Sequence, residues 1–275
     1  MNATPRVNPI RTFLVLVGLA VAVTAAGAQG RSDPDNWCRD TNRSDDQQTV
    51  CEVREYVVPA AGATLTVDAT PNGGINVEGS SRGDILVRAR VSATARTKEE
   101  AGALAAEVQV VATADRVTAD GPSTSGRRES WHVSYWLGVP ARTPLSLRTT
   151  NGGIGIDNVN SRVEFRTVNG GVKLSRMAGD VEGRTTNGGI DVDLDGRAWE
   201  GAGLNVQTSN GGVNLRIPER YSAHLETGTV NGSVRIDFPV TMQGSIGRSI
   251  STDLGSGGAP LRVRTSNGGV RITKK

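Results

Sequence analysis

Three aspartates in alternation form the sequence pattern closest to a known metal site. Asp191, Asp193 and Asp195 stand in the segment DVDLDG, which matches the first half of a calcium-binding loop, D-x-D-x-D-G. The second half does not match, because Ala202 occupies the twelfth position, where a bidentate glutamate is needed. Alternation places the three carboxylates on the outer face of one strand. We expect a solvated acidic face there, with a weak calcium site as the alternative, and no cofactor elsewhere.

Arginines recur at one position of three successive repeats. Arg148, Arg166 and Arg184 are 18 residues apart, and Glu164 and Glu182 lie two residues before the last two of them. A row of guanidinium groups suits sulfated or carboxylated glycans, because each group can bind an oxyanion through two parallel hydrogen bonds. Stripes of alternating charge are also typical of a salt-bridged, solvated face, and we favour that interpretation. The three arginines remain the candidate ligand face.

One segment matches a catalytic motif but lacks the surroundings that the motif needs. GSSRG, from Gly79 to Gly83, fits the G-x-S-x-G pattern of esterases, in which a strand, a sharp turn and a helix would expose Ser81. The following DILVRARV predicts another strand instead. His132 and His224 have no partner motif, so we expect both to be ordinary surface or rim residues. The sequence therefore predicts no catalytic residue.

An internal repeat provides the elements that hold these residues. Ile or Val stands three positions after each corner asparagine, and an aliphatic residue stands five positions after it. This period of two predicts a strand with one buried face, so each unit is strand, Asn-Gly corner, strand. A threonine stands two residues before every corner, and we expect its hydroxyl to bond corner backbone groups. The corners begin at Asn72, Asn151, Asn169, Asn187, Asn210, Asn231 and Asn267.

Stacking of these units predicts a parallel β-helix. Units of 18 to 23 residues cannot bury their inner faces alone, whereas stacked copies share a continuous core. An antiparallel meander is the alternative, because Asn-Gly between alternating strands is a strong hairpin signal. We expect positive φ at the corners and hydrogen bonds between stacked asparagines. The interval of 36 residues before Asn267 predicts a unit without a corner between Phe238 and Leu261.

The repeats also carry a resemblance. The NGG-[IV]-x-[ILV] units, the glycine-rich GSIGRSISTDLGSGG and the terminal TSNGGVRITK resemble the bacterial β-strand-repeat family called putative adhesins, a domain-of-unknown-function family. The similarity covers about residues 50 to 275. It implies a single-stranded right-handed β-helix and an adhesin-like role, and it supplies no catalytic residues.

One short helix and one further strand precede the main array. Thr97 followed by Glu100 has capping-box spacing, and an Ala-rich stretch continues to about Val108. We expect this helix to cover one end or side of the stacked strands, whose edges would otherwise recruit other chains. WHVSYWLGVP alternates as a strand that leads into the array.

The N-terminal region predicts export. Residues 1–28 contain two arginines, an apolar run and Ala26-Gly27-Ala28, so we expect a signal peptide cleaved after Ala28, with an uncleaved anchor as the alternative. Cys38 and Cys51 then form a disulfide within a cap segment, 29–62, that precedes the solenoid, 63–275. We expect no membrane span in the mature chain. Its 29 basic and 28 acidic residues leave no basic excess for nucleic acid.

These observations favour an exported, non-enzymatic, all-β solenoid that is periplasmic, secreted or at the cell surface. We expect it to act as an adhesin-like binding or scaffold protein, with a glycan or an envelope protein as partner. The alternatives are a carbohydrate-active β-helix enzyme, which would use Asp191 to Asp195 and Trp199, and an envelope-stress accessory protein.

Overall fold

Alternating aliphatic residues form strands through most of the chain. The computed structural model describes residues 37–38, 47–124, 128–236 and 248–275. Within them lie twenty strands and one helix. In chain order these are β1 (Gln48–Pro59), β2 (Leu65–Asp68), β3 (Ile75–Ser80), β4 (Asp84–Ala95), α1 (Lys98–Glu107), β5 (Gln109–Ala112), β6 (Arg116–Asp120), β7 (Ser130–Pro140), β8 (Leu145–Arg148), β9 (Ile154–Asp157), β10 (Asn160–Asn169), β11 (Val172–Ser175), β12 (Ala178–Asn187), β13 (Ile190–Asp193), β14 (Gly203–Asn210), β15 (Val213–Ile217), β16 (Ala223–Asn231), β17 (Val234–Ile236), β18 (Ser249–Leu254), β19 (Pro260–Asn267) and β20 (Val270–Lys274).

The strands form two sheets of ten. Sheet I has the order β1-β4-β7-β3-β9-β11-β13-β15-β20-β17, and sheet II has the order β18-β16-β19-β14-β12-β10-β8-β2-β6-β5. Each repeat unit contributes one strand to sheet II and, after its corner, one strand to sheet I; we call such a pair a rung. Neighbouring rungs in the array run parallel and in register, so that Val172 pairs with Ile154 on one side and Ile190 on the other. The antiparallel meander is therefore excluded for these rungs.

The inward faces of both sheets share one aliphatic core. Ile154, Val172 and Ile190 are each at most 2% exposed and belong to a single cluster that draws on strands of both sheets. Rungs of unequal side-chain size still fit together. Phe165 pairs in register with Gly183, and a Cβ on Gly183 would lie 2.2 to 2.3 Å from atoms of the Phe165 ring. The ring therefore occupies the space that a side chain at position 183 would need.

The rungs at both ends are stacked out of chain order. β6 and β7 lie outside the earlier rung of β2 and β3, and the C-terminal rung of β19 and β20 lies between β14/β15 and β16/β17. The described part of the interval from Phe238 to Leu261 does not form the predicted parallel unit without a corner: there β18 pairs antiparallel with β16 and ends sheet II. Insertion gives the C-terminal strands a hydrogen-bonding partner on each side, which holds the chain end in place.

The asparagine corners lie directly over one another. In the spatial order Asn72, Asn151, Asn169, Asn187, Asn210, Asn267, Asn231, each amide nitrogen from Asn151 onwards donates to the amide oxygen of the preceding corner at 2.7 to 2.9 Å. The threonine two residues earlier donates to the carbonyl of the first corner glycine in the adjacent rung. Thr167, for example, bonds Gly152 O at 2.9 Å and is 1% exposed. The hydroxyl thus satisfies an acceptor that the stacking buries.

The corners do not use the backbone conformation that the sequence led us to expect. None of the seven corner asparagines has positive φ, and among the corner glycines only Gly268 does, at 158°, which is almost fully extended. Left-handed residues occur instead at the other turn, between one rung and the next, where Asn158 has φ of 56° and Arg176 has φ of 51°. The corner glycines are needed for close approach between rungs, as argued in the Discussion.

The N-terminal part of the described chain extends sheet I. β1 pairs antiparallel along twelve residues with β4, and Cys51 in β1 forms the predicted disulfide with Cys38. α1 has the predicted capping box between Thr97 and Glu100 and contacts β4 and β1. Arg54 of β1 donates to Ala105 O at 2.8 Å, satisfying a carbonyl of the last helical turn.

The predicted signal peptide, with its cleavage site after Ala28, lies outside the described residues. Within the described ranges, no helix has the length and apolar composition that crossing a membrane requires.

Candidate functional site

Three strands of sheet II place the arginines predicted from the sequence in one row. Arg166 in β10 pairs in register with Arg148 in β8 and with Arg184 in β12. Inward residues alternate with these arginines, because Leu147 and Thr167 beside them are buried while all three arginines are exposed. Neighbouring strands are about 4.8 Å apart, so the guanidinium groups leave the sheet at that spacing. We call Arg148, Arg166 and Arg184 the arginine row.

The expected salt bridges between this row and the adjacent glutamates are not formed. Glu164 pairs with Arg162, two residues earlier on its own strand, at 2.6 Å. That hydrogen bond is the main reason why the pKa of Arg162 is raised. Within the part of the chain that the structure describes, no ion pair joins the arginine row or Glu182 to an opposite charge. The salt-bridged face that we favoured from the sequence is therefore wrong for these residues.

The arginine row lies along a shallow depression of about 370 Å³. Ser146, Glu164 and Glu182 also line it, together with Phe165 and Gly183. Three like charges in register repel one another. Neither a paired carboxylate nor burial offsets this repulsion, so an anion that spans several rungs would relieve it. Guanidinium forks match the oxygens of carboxylate, sulfate or phosphate groups, and an open depression admits a chain rather than a small enclosed ligand.

Two of the three alternating aspartates, Asp191 and Asp193, are bonded to other side chains of the protein. Asp191 accepts from Asn214 Nδ2 at 2.7 Å, and Asp193 pairs with Arg216 at 2.9 Å and also with Lys275. β13 ends at Asp193, so Asp195 lies beyond the strand and does not share its outer face as expected. Among the described residues, no group of three or more acidic, cysteine or histidine side chains could hold a metal ion. Asp191 and Asp193 thus function as cross-rung contacts.

The other motifs have structural surroundings that account for them. Ser81 lies in a turn between β3 and β4, with no helix after it, so the nucleophile elbow is absent there. Trp199 is 6% exposed and donates from Nε1 to Gly179 O at 3.0 Å. It is therefore a core residue, not a platform on which a sugar could stack.

The two histidines differ, and one of them has partners that the sequence did not reveal. His132 lies in β7 opposite Ser92; burial, and secondarily Arg90, lowers its pKa. His224 in β16 bonds Asp253 Oδ1 through Nδ1 at 2.7 Å and Ser251 Oγ through Nε2 at 3.2 Å. Both partners stand in β18, whose antiparallel pairing the repeat pattern did not predict. The alternation S-x-D in SISTDL was the only available signal.

Carboxylate and guanidinium groups also cluster beside His224. Glu226 binds Arg262 and Arg264, at 3.0 and 3.1 Å. The hydrogen bond from Arg262 is the main cause of the lowered pKa of Glu226. Gln207 in β14 pairs in register with Arg184, and Arg264 in β19 pairs in register with Gln207. A basic residue therefore occurs again two strands beyond the arginine row.

Comparison with known proteins gives a family and several matching solved structures. The family model described as Toastrack DUF4097 matches residues 79–273. A putative cell adhesion protein from Clostridium sporogenes is 11% identical, with 82% of this chain and 100% of that chain covered and a TM-score of 0.48. A putative adhesin from Bacteroides fragilis is 13% identical, with coverage of 82% and 97% and a TM-score of 0.40. No curated protein matches the chain.

Proposed function

The chain belongs to the Toastrack DUF4097 family, and we propose that it is an exported, adhesin-like binding or scaffold protein of the cell envelope, non-enzymatic towards the ligand it holds. Its ligand is a carboxylated or sulfated glycan, which lies across the rungs along the arginine row. We further propose that the rungs wind as a right-handed solenoid, periplasmic, secreted or exposed at the cell surface.

The unpaired arginine row is the observation that carries this proposal. Among the described residues the three guanidinium groups form no ion pair with Glu164 or Glu182, so they are available to an external anion. An anion whose charges recur at about the rung spacing of 4.8 Å would neutralise the three arginines together. Once one group is bound, the next binds at a high effective concentration, so weak single contacts sum to useful affinity.

Two features support export. Residues 1–28 have the composition of a secretory signal peptide, and the Cys38–Cys51 disulfide is of a kind that persists in oxidising compartments. The adhesin label of the matching structures belongs to those proteins.

The test compares glycan binding by arginine variants of the mature protein. Polygalacturonate and heparin are titrated against wild type, against Arg166→Gln/Arg184→Gln and against Lys173→Gln, which removes an exposed charge from sheet I. We expect the double variant to bind at least about tenfold more weakly, since each charge-assisted hydrogen bond contributes about 1.5–3 kcal/mol before solvent screening. Lys173→Gln should bind as wild type does.

The same titration can contradict the proposal in two ways. Equal binding by wild type and the double variant would exclude the arginine row as the ligand face. The appearance of new reducing or unsaturated ends in the glycan during incubation would show that the protein is an enzyme acting on it.

A further inference from the structure

A serine, a histidine and an aspartate are hydrogen-bonded in sequence at one end of sheet II. Ser251 Oγ lies 3.2 Å from His224 Nε2, and His224 Nδ1 lies 2.7 Å from Asp253 Oδ1. β16 and β18 create this arrangement through their antiparallel register, in which His224 faces Asp253 and Glu226 faces Ser251. One strand thus supplies the base, and the other supplies both of its partners.

The bonds assign a role to each group. An imidazole that donates its Nδ1 proton to Asp253 presents a free lone pair at Nε2, which is where the Ser251 hydroxyl lies. The carboxylate therefore fixes the tautomer and orientation of the ring, and the ring can accept the serine proton. This is the relation between nucleophile, base and orienting carboxylate that defines a catalytic triad by geometry, whatever the fold.

The surroundings of Ser251 provide space, two guanidinium groups and one carboxylate. Ser251 lines a depression of about 470 Å³ together with Arg248, Arg264 and Glu226, and Glu226 Oε1 lies 4.0 Å from His224 Nε2. Arg264 is held there by Glu226 at 3.1 Å. Guanidinium groups beside a reacting carbonyl can stabilise the negative charge that develops on its oxygen.

We propose that Ser251, His224 and Asp253 form an acyl-transfer site that hydrolyses small exposed esters. Ser251 Oγ bonds to the ester carbonyl carbon while its proton passes to His224 Nε2. The bond between the carbonyl carbon and the alkoxy oxygen then breaks, and the leaving alcohol takes that proton. Water attacks the acyl-serine with His224 again as base, which releases the carboxylic acid and restores the serine.

This inference goes beyond the proposed function and does not rest on it. β16, β19 and β14 separate β18 from β12, so the triad lies apart from the arginine row. Asp253 is 65% exposed, and solvent screens its charge on the imidazolium. We therefore expect a slow hydrolase of simple esters, not one with the rate of a digestive enzyme.

The experiment uses the folded mature protein with a fluorophosphonate probe and with 4-nitrophenyl acetate. Peptide mass spectrometry should find the phosphonyl group on Ser251, where the new Oγ–P bond forms as the P–F bond breaks. Because a positioned general base contributes about 10²–10⁴-fold, His224→Gln should slow labelling at least about 100-fold. Asp253→Asn should slow it less. Ester hydrolysis should fall in parallel and vanish in Ser251→Ala.

Ser249 is the matched control. It stands on the same face of β18 and lines the same depression, but it has no bond to histidine among the described residues. Ser249→Ala should label and hydrolyse as wild type does. Absence of label at Ser251, equal labelling of both serines, or an unchanged rate in His224→Gln would overturn the proposal. If His224→Gln fails to fold by circular dichroism, the ratio of label at Ser251 to Ser249 in wild type decides alone.

Discussion

An amide at each corner carries a donor and an acceptor on two separate atoms, whereas an ionised carboxylate can only accept and a hydroxyl has both functions on one oxygen. Asn169 uses both, donating to Asn151 and accepting from Asn187 at 2.7 and 2.8 Å. The short side chain reaches a neighbour one strand spacing away. Successive corners can therefore be identical, which explains why the same turn recurs along the chain.

The position of an asparagine in this ladder should determine the cost of removing it. Asn169→Ala loses two bonds, whereas Asn72→Ala, at the ladder's end, loses one. At about 0.5–1.5 kcal/mol for each net bond, we expect Asn169→Ala to lower the free energy of unfolding by about 1–2 kcal/mol and Asn72→Ala by about half as much. Urea denaturation measures both.

Asn205→Ala is the control, since this exposed residue of β14 has no side-chain bond among the described residues. Its unfolding midpoint should match that of wild type. If Asn169→Ala and Asn205→Ala unfolded at the same urea concentration, the ladder would contribute nothing to stability.

At the scale of residues, the sequence predicts which side chains lie in register better than it predicts which of them form ion pairs or hydrogen bonds. Parity and spacing were enough to place Arg148, Arg166 and Arg184 in one row. They did not show that Glu164 would bind Arg162, because that choice depends on side-chain rotamers and not on register. His224 was missed for a different reason: both of its partners stand on a strand whose pairing the repeat does not specify.

The corner itself depends on close approach between rungs. A Cβ on Gly170 would lie 1.9 Å from Gly152 O and 2.5 Å from Gly152 C, both of them backbone atoms that cannot move without separating the rungs. A Cβ on Gly171 would meet only Gly189 O, at an ordinary 3.6 Å. The first glycine of each Asn-Gly-Gly is therefore required by packing, and the second much less so.

Alanine at these two adjacent positions should change the free energy of unfolding by very different amounts. Gly170→Ala should destabilise the protein by about 3 kcal/mol or more, because overpacking against rigid backbone is costly. Gly171→Ala should change the free energy of unfolding by no more than about 0.5 kcal/mol, with some gain from a less flexible unfolded chain. Thermal unfolding of the two purified variants provides the comparison. Similar melting temperatures would contradict the packing explanation.

Periodicity predicted strands and the helix well at the scale of elements. The alternation in each unit and the capping box at Thr97 gave elements close to those observed. Alternation is the same in parallel and antiparallel strands, however, so it could not reveal that β18 turns back along β16. Spacing along the chain likewise does not specify the order of rungs in space.

At the scale of the whole molecule, the rungs near both ends are stacked out of chain order, whereas the rungs between them follow chain order. The antiparallel strands β4, β5 and β18 border the parallel array at its ends. The middle rungs are left to repeat one surface pattern, of which the arginine row is part. The binding surface that we propose has no single pocket, so its affinity should grow with the length of ligand in contact.

Binding of galacturonic acid and its oligomers to the mature protein, measured by calorimetry as a function of chain length, tests the central claim most directly. The account predicts an affinity for the trimer at least about tenfold above that for the monomer, because three carboxylates engage three rungs. In Arg166→Gln, which interrupts the arginine row at its middle, most of that advantage should disappear. Equal affinity for monomer and trimer in wild type would contradict the account.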